Sequence, residues 1–233
     1  MELMKKTLLA ELPTLGLELP EDRIDTLCAF GAAMVKQNEV MNLTAITESA
    51  AVARLHLMDS LTVMKCLDLK GKRLIDVGCG AGFPGVPLAI GEPELKVTLL
   101  DSLGKRVKWL EEVLPTLGIK ADCVMGRAEE YVQGCRERYD VATSRAVARL
   151  NILLELTAPY VKVGGYVLAM KGSAAQEELD EAASAIKKLG LRLERVERFT
   201  VDGASHPVIV LKKIAPTPKQ YPRRYAKIKQ APL

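Results

Sequence analysis

Histidine is nearly absent from this 233-residue chain: only His56 and His206 occur, beside a single tryptophan, Trp109. Two histidines far apart in sequence make no metal-ligand pattern. The five cysteines (Cys28, Cys66, Cys79, Cys123 and Cys135) are odd in number and form no C-x-x-C pair. That argues against a zinc site or a disulfide scaffold, and for free thiols in a reducing cytoplasm. No run of 18 apolar residues is present, so no membrane-spanning helix is expected. The opening "MELMKKTLLAELPTLGLELPEDRIDTL" carries acids throughout and lacks a small-residue cleavage site. It reads as amphipathic helix rather than signal peptide. Acids are missing in one place: from Lys212 onward there are seven basic residues (Lys212, Lys213, Lys219, Arg223, Arg224, Lys227, Lys229) and no Asp or Glu. The formal net charge is only +4, so the chain before Lys212 is slightly acidic. An acidic body with a basic tail points to a polyanion met at one place.

What is present is enough apolar residue, 48% of the chain, for one substantial core. Residues 1–70 read as a helical extension. In "RIDTLCAFGAAMVKQNEVMN" the positions Ile24, Leu27, Cys28, Phe30, Gly31, Met34 and Val35 fall near helical spacing. "SAAVARLHLMDSLTVMKCLDL" repeats the pattern after a polar break, where Asn42 and Thr44 are suited to cap or turn the chain. His56 and Asp59, three apart on one face of that second helix, suit structural hydrogen bonding rather than catalysis. Residues 71–215 then alternate. Short β-branched runs ("KRLIDVG", "LKVTLLD", "ADCVMG", "YDVATSR", "GGYVLAMKG") are separated by helical segments such as "GKRVKWLEEVLPTLG", in which Trp109 is a core position. This is the signature of βαβ units and a parallel sheet, an α/β fold. "LRLERVERFTVDGASHPVIVLKKI" looks like a hairpin at one sheet edge. Residues 216–233 form a basic, Pro-rich tail in which no regular structure is required.

"LIDVGCGAGFPG" (Leu74 to Gly85) holds four glycines directly behind an apolar run ending in Asp76. In the α/β reading this bend lies at the carboxyl end of the first strand, where ligands of open sheets bind. A helix starting near Pro84 aims its free N–H groups there. Gly80-x-Gly82-x-x-Gly85, with Asp101 closing the next strand, matches the dinucleotide fingerprint, so a nicotinamide oxidoreductase is one reading. Two features weaken it: Asp76 and Gly78 precede the fingerprint, and no hydride-transfer acid or base stands in the central βαβ region.

An acid followed by alternating glycines, Asp76-x-Gly78-x-Gly80-x-Gly82, resembles instead the first motif of class I S-adenosylmethionine (AdoMet) methyltransferases. "VTLLDS" looks like the second motif, with Asp101 at the ribose, and "GRAEEY" like the third, with Ala128 and Glu129 at the adenine. Taken with "MNLTAIT", "HLMDSL", "LLDSLGKRVKWL", "TSRAVA", "MKG" and the closing "YPRRYAKIKQAPL", the chain resembles, over nearly its whole length, the RsmG (GidB) family of bacterial small-subunit rRNA methyltransferases. The resemblance implies a Rossmann-like, mostly parallel seven-stranded sheet with helices on both faces. It further implies AdoMet as cofactor and N7 of one guanine in the 530 loop of 16S rRNA as target. Family cofactor contacts fall on Gly78, Phe83, Ala128, Glu129 and Arg145. Cys79 stands where the family often has another small residue, and no nucleophile is implied.

The remaining residues agree with that chemistry. After the fourth strand the chain reads Thr143-Ser144-Arg145-Ala146, without the Asn/Asp-Pro-Pro-aromatic stretch that exocyclic-amine methylation uses. No cysteine follows a proline, as a cytosine-C5 nucleophile typically does. Guanine N7 is an unprotonated ring acceptor, so no general base is needed and alignment suffices. Arg145 is suited to hold cofactor or stack on an unpaired guanine, its alternative being a surface ion pair. Lys171 is a candidate for RNA phosphate, or a solvated lysine. Arg223, Arg224, Tyr225, Lys227 and Lys229 combine charge with an aromatic surface and are candidates for RNA contact. A non-catalytic RNA-binding module is the remaining alternative.

Overall fold

The computed structural model describes residues 1–233. α1 (Glu2–Glu11) and α2 (Glu21–Met41) cross where Gly31 makes room: a Cβ there would lie 2.8 Å from Met4 Sδ. The buried positions of α2 (Ile24, Leu27, Cys28, Phe30, Gly31 and Met34) follow the expected helical stripe. α2 stops at Asn42, in the left-handed region at φ 50°, which asparagine tolerates better than most residues. A second helical rod follows: α3 (Ser49–Val52), a π-helical stretch (Ala53–Met58), α4 (Asp59–Leu61) and α5 (Val63–Cys66). Glu48 caps it by accepting from the Ala50 and Ala51 N–H groups, donors that would otherwise be unpaired at the helix start. π turns are rare and collect at functional sites; this one carries His56.

The alternation then appears as β1 (Arg73–Val77), α6 (Gly85–Gly91), β2 (Lys96–Asp101), α7 (Gly104–Thr116), β3 (Asp122–Met125), α8 (Ala128–Cys135), β4 (Tyr139–Arg145), α9 (Leu150–Thr157), β5 (Val161–Met170), α10 (Ala175–Glu181), α11 (Ala183–Lys188), β6 (Leu191–Val201) and β7 (Ala204–Lys213). The seven strands form one sheet in the order β3-β2-β1-β4-β5-β7-β6. β1 to β5 run parallel, and β7 is antiparallel to both β5 and β6. The hairpin is thus at the sheet edge, with β6 outermost. A dinucleotide-binding sheet would pass from its fifth strand directly to its sixth; here an antiparallel strand intervenes.

Strand periodicity divides the core in two. Val208 and Val210 of β7, with Leu168 and Met170 of β5, face one cluster; Ile209, Leu211, Val167 and Ala169 face the other. Helices cover both faces, which is why the central strands read as continuous apolar runs rather than alternating ones. The first cluster is shared with α1, α2 and the second helical rod, and it contains Trp109, whose ring stacks 6.1 Å from that of Phe30.

The segment after Pro216 is packed down rather than loose. It contains α12 (Tyr225–Gln230), and Tyr221 and Ile228 are buried. Beneath it Lys213 is fully buried; its ammonium donates to the Ala158 carbonyl at 2.8 Å and to Thr217 Oγ1. Burial lowers the Lys213 pKa to about 8, against the opposing pull of Glu137.

Candidate functional site

The glycine bend follows β1 and is tied down by two carboxylates. Asp76, wholly buried, accepts from Gly85 N–H through Oδ2 at 2.8 Å, while its Oδ1 has no partner. Burial raises the Asp76 carboxyl to about 7, against the Gly85 hydrogen bond and the Arg145 charge, which lower it. Asp101 at the end of β2 accepts from Gly80 N–H at 2.9 Å and from Leu103 N–H at 2.8 Å. Its carboxylate therefore orders the loop itself. The glycines differ in what they face. Gly78 (φ 75°) and Gly80 (φ 57°) border open clefts. A Cβ on Gly78 would strike Val147 Cγ2 at 2.4 Å, whereas one on Gly80 would find nothing closer than Arg106 at 3.8 Å. Gly82, expected to contact a ligand, instead packs inward: a Cβ there would meet Val86 at 2.7 Å and Phe30 and Leu110 at 3.1 Å. Gly85 is pressed on Leu99 and on Asp76 itself. Gly78 and Gly80 thus border the clefts, while Gly82 and Gly85 are required by the packing around the bend. The Cys79 thiol is buried, and burial together with the Asp76 charge raises its pKa well above the ordinary value. It stays protonated, as a non-nucleophilic role requires.

Arg145 ends β4 and turns back across the loop. It donates to Asp59 Oδ2 and to the Leu55 carbonyl at 2.8 Å, reaches His56 Nδ1 at 3.1 Å, and lies over the Phe83 ring at 5.2 Å. The arginine is therefore in a largely buried ion pair rather than free. A guanidinium can only donate, so His56 Nδ1 accepts, and its Nε2–H donates to Thr44 Oγ1 at 2.8 Å. Burial, then the Arg145 charge, lowers the His56 pKa to about 4. The imidazole is neutral and stacks on Phe83 at 4.8 Å. The second oxygen of Asp59 bonds His206 Nδ1 at 2.9 Å, and that bond raises the His206 pKa. No group of three or more His, Cys, Asp or Glu side chains is placed to share a metal ion.

Three clefts meet here at the carboxyl edge of the parallel strands. The first is lined by Gly78, Asp101, Ser102, Ala128, Glu129, Val147 and Tyr225. Gly78 is shared with a second, bounded by Thr44, His56, Gly80, Phe83, Arg106 and Arg145. Val147 and Arg145 lead to a third, with Asp59, Lys171, Glu178 and His206. Ala128 is held from behind by Tyr160, whose hydroxyl donates to its carbonyl at 2.6 Å. Glu129, one residue into α8, accepts from Arg127 Nε at 2.8 Å.

The basic residues are not equivalent. Lys171, a candidate for RNA phosphate or a solvated lysine, is only 6% exposed; it pairs with Glu178 at 2.8 Å and donates to the Ala148 carbonyl at 2.6 Å. Arg223 is equally committed. Its backbone N–H, Nε and an Nη donate to the carboxylate of Glu155, which is fully buried. An uncompensated carboxylate there would be strongly destabilising, so Arg223 is a structural partner of the body. Arg224, Lys227 and Lys229 remain exposed. Tyr225 faces the first cleft, under the Arg127 guanidinium at 5.4 Å.

The family model described as "GidB: rRNA small subunit methyltransferase G" matches residues 23–206. The chain belongs to that family. Among curated GidB-family relatives, the Ribosomal RNA small subunit methyltransferase G of Alkaliphilus oremlandii is 45% identical over 227 residues, covering 94% of each chain. The protein of the same name from Clostridium perfringens is 39% identical over 238 residues, covering all of this chain and 98% of that one. Among solved structures, P. horikoshii TYW2 in complex with MeSAdo superposes with a TM-score of 0.55 at 15% identity, over 67% of this chain and 62% of that one. At that identity the likeness carries the fold alone, and the fold is that of a class I methyltransferase.

Two placements in this GidB-family chain escaped sequence reading. His206 looked remote from the βαβ region. However, β7 runs antiparallel, so its first residues lie at the carboxyl edge, where Met170 pairs with Val208 and Lys171 N–H donates to the Pro207 carbonyl. The hairpin reading, carried through to strand direction, contains that signal. Tyr225 had none, because its place depends on a buried ion pair formed 68 residues away in sequence.

Proposed function

We propose that this chain transfers the methyl group of AdoMet to N7 of one guanine in the 530 loop of 16S rRNA, presented as rRNA or within the small ribosomal subunit. The observation that carries the reading is the cradle at Gly78 and Gly80, backed by two carboxylates at the ends of β1 and β2. That is where open α/β sheets bind ligands. The residues fit a cationic nucleoside. Asp76 keeps a buried carboxylate oxygen without a partner, and Asp101 supplies a second acid beside the loop. In this reading Gly78, Gly80, Phe83 and Arg145 border the methionine end, and Asp101, Ala128 and Glu129 the nucleoside end. Asp76 acts from beneath the loop.

AdoMet, when bound, supplies an electrophilic methyl on a sulfonium. The chain's task is then alignment, because the N7 lone pair is already free at neutral pH. The side chains agree with that task. His56 is neutral and spent on Thr44 and Arg145, and the Cys79 thiol is protonated. Neither is poised as base or nucleophile. Arg145 takes a positioning role at the junction of the clefts, its plane fixed by Asp59. The exposed Arg224, Lys227 and Lys229 meet RNA phosphate. Such a substrate places the reaction in the cytoplasm. The test is transfer of labelled methyl from AdoMet to 16S rRNA from cells lacking the protein, with the modified base mapped. Label at guanine N7 in the 530 loop is expected; no label, or label on another atom, sinks the assignment.

A further inference from the structure

We propose that Tyr225 is a cofactor-contacting residue: its ring forms the aromatic wall of the cleft that receives the adenine of AdoMet, so the C-terminal tail completes the cofactor site. This rests on the AdoMet reading above. Tyr225 lies beyond residues 23–206, where the family model matches. The sequence places it in a basic tail suited to RNA, but the structure puts it on the other side of the tail's work.

Three observations converge. Tyr225 is the one aromatic side chain lining the cleft that also holds Asp101, Ala128 and Glu129. Aromatic faces stack on purines whatever their substituents. Second, the Arg127 guanidinium, which lines the same cleft, lies over one face of the ring at 5.4 Å and holds its plane in place beside Ala128 and Glu129. Third, the tail is held too firmly to be a loose arm. Arg136 donates to the carbonyls of Thr217 and Tyr221 at 2.7 Å and of Pro218 at 3.0 Å. Thr217 N–H donates to Glu137 at 2.9 Å, and Arg223 is locked on buried Glu155. Ile228, one turn on, is fully buried. These ties fix where α12 begins, and α12 begins with Tyr225. One short segment therefore turns Tyr225 toward the cofactor cleft while Arg224, Lys227 and Lys229 stay in solvent.

The test is calorimetric binding of S-adenosylhomocysteine, which carries the same adenine. Tyr225→Ala is expected to weaken binding by about tenfold, while Tyr225→Phe, which keeps the ring, stays within about twofold of wild type by the same stacking argument. Wild-type affinity in Tyr225→Ala overturns the inference, as does a loss confined to RNA affinity. Absence of binding by the wild-type protein would instead sink the AdoMet reading itself, so the two failures are distinct. Should Tyr225→Ala lower the unliganded melting temperature, wild-type hydrogen exchange carries the test. Added S-adenosylhomocysteine is expected to slow amide exchange across residues 225–230, and unchanged exchange there overturns the proposal.

Discussion

Arg145 and Asp59, from the end of a central strand and from the N-terminal helical rod, form a 2.8 Å ion pair whose side chains are 18% and 6% exposed. The pair joins the helical third of the chain to the carboxyl edge of the sheet. Removing one member of a buried pair leaves the other uncompensated, at a cost of about 3–5 kcal/mol. Asp59→Ala is therefore expected to lower the urea-unfolding free energy by about that amount, and Asp59→Asn, which keeps an acceptor, by clearly less. Because Asp59 also raises the His206 pKa, both variants should move the His206 titration down in NMR. An unchanged His206 titration would contradict the shared carboxylate.

Gly78 tests the loop. Its φ of 75° and the 2.4 Å approach of Val147 to a would-be Cβ leave no room for a side chain. Gly78→Asp is expected to abolish AdoMet binding by calorimetry, with the far-ultraviolet circular dichroism of the sheet retained. Normal affinity in this variant would remove the loop from the cofactor site.

Asp76 makes a pH-dependent prediction of unusual sign for an acid. Its folded pKa is raised to about 7 from an ordinary 3.8, so the folded state binds the extra proton between those values. Its ionisation therefore opposes folding, beginning as pH rises above about 4 and fully developed above about 7. Asp76→Asn removes that penalty. The stability of the variant relative to wild type should increase from pH 4 to pH 8, by at most about 4 kcal/mol. Urea titrations at the two pH values measure it, and a pH-independent difference would refute the buried-carboxyl account.

The exposed tail charges should separate from the structural one. Replacing Lys227 and Lys229 with glutamine is expected to weaken RNA binding and to reduce the slope of log K against log salt by about 1.4, roughly 0.7 per lost phosphate contact on single strands. The melting temperature should hold. Arg223→Leu should do the reverse, lowering stability by about 3–5 kcal/mol through the stranded Glu155. Equal salt slopes in wild type and the double variant would exclude these lysines from the RNA interface.

Local periodicity and composition by themselves determined the α/β alternation, the edge hairpin, the core role of Trp109 and the glycine bend with Asp76 and Asp101 beside it. These features are legible because they follow from spacing along the chain: period two for strands, 3.6 for helices, and glycine where the backbone must turn left-handed. Tertiary structure alone decided which glycines border the clefts, since Gly82 and Gly78 look alike in sequence, yet a Cβ on one would meet buried Phe30 and on the other half-exposed Val147. It also decided which charges are free. Arg223 and Arg224 are neighbours, but only Arg223 finds a fully buried carboxylate. Arg145, His56, Asp59 and His206 converge for the same reason. A buried charge must find its partner in space, and strand direction together with helix packing, not sequence distance, sets which partner is within reach.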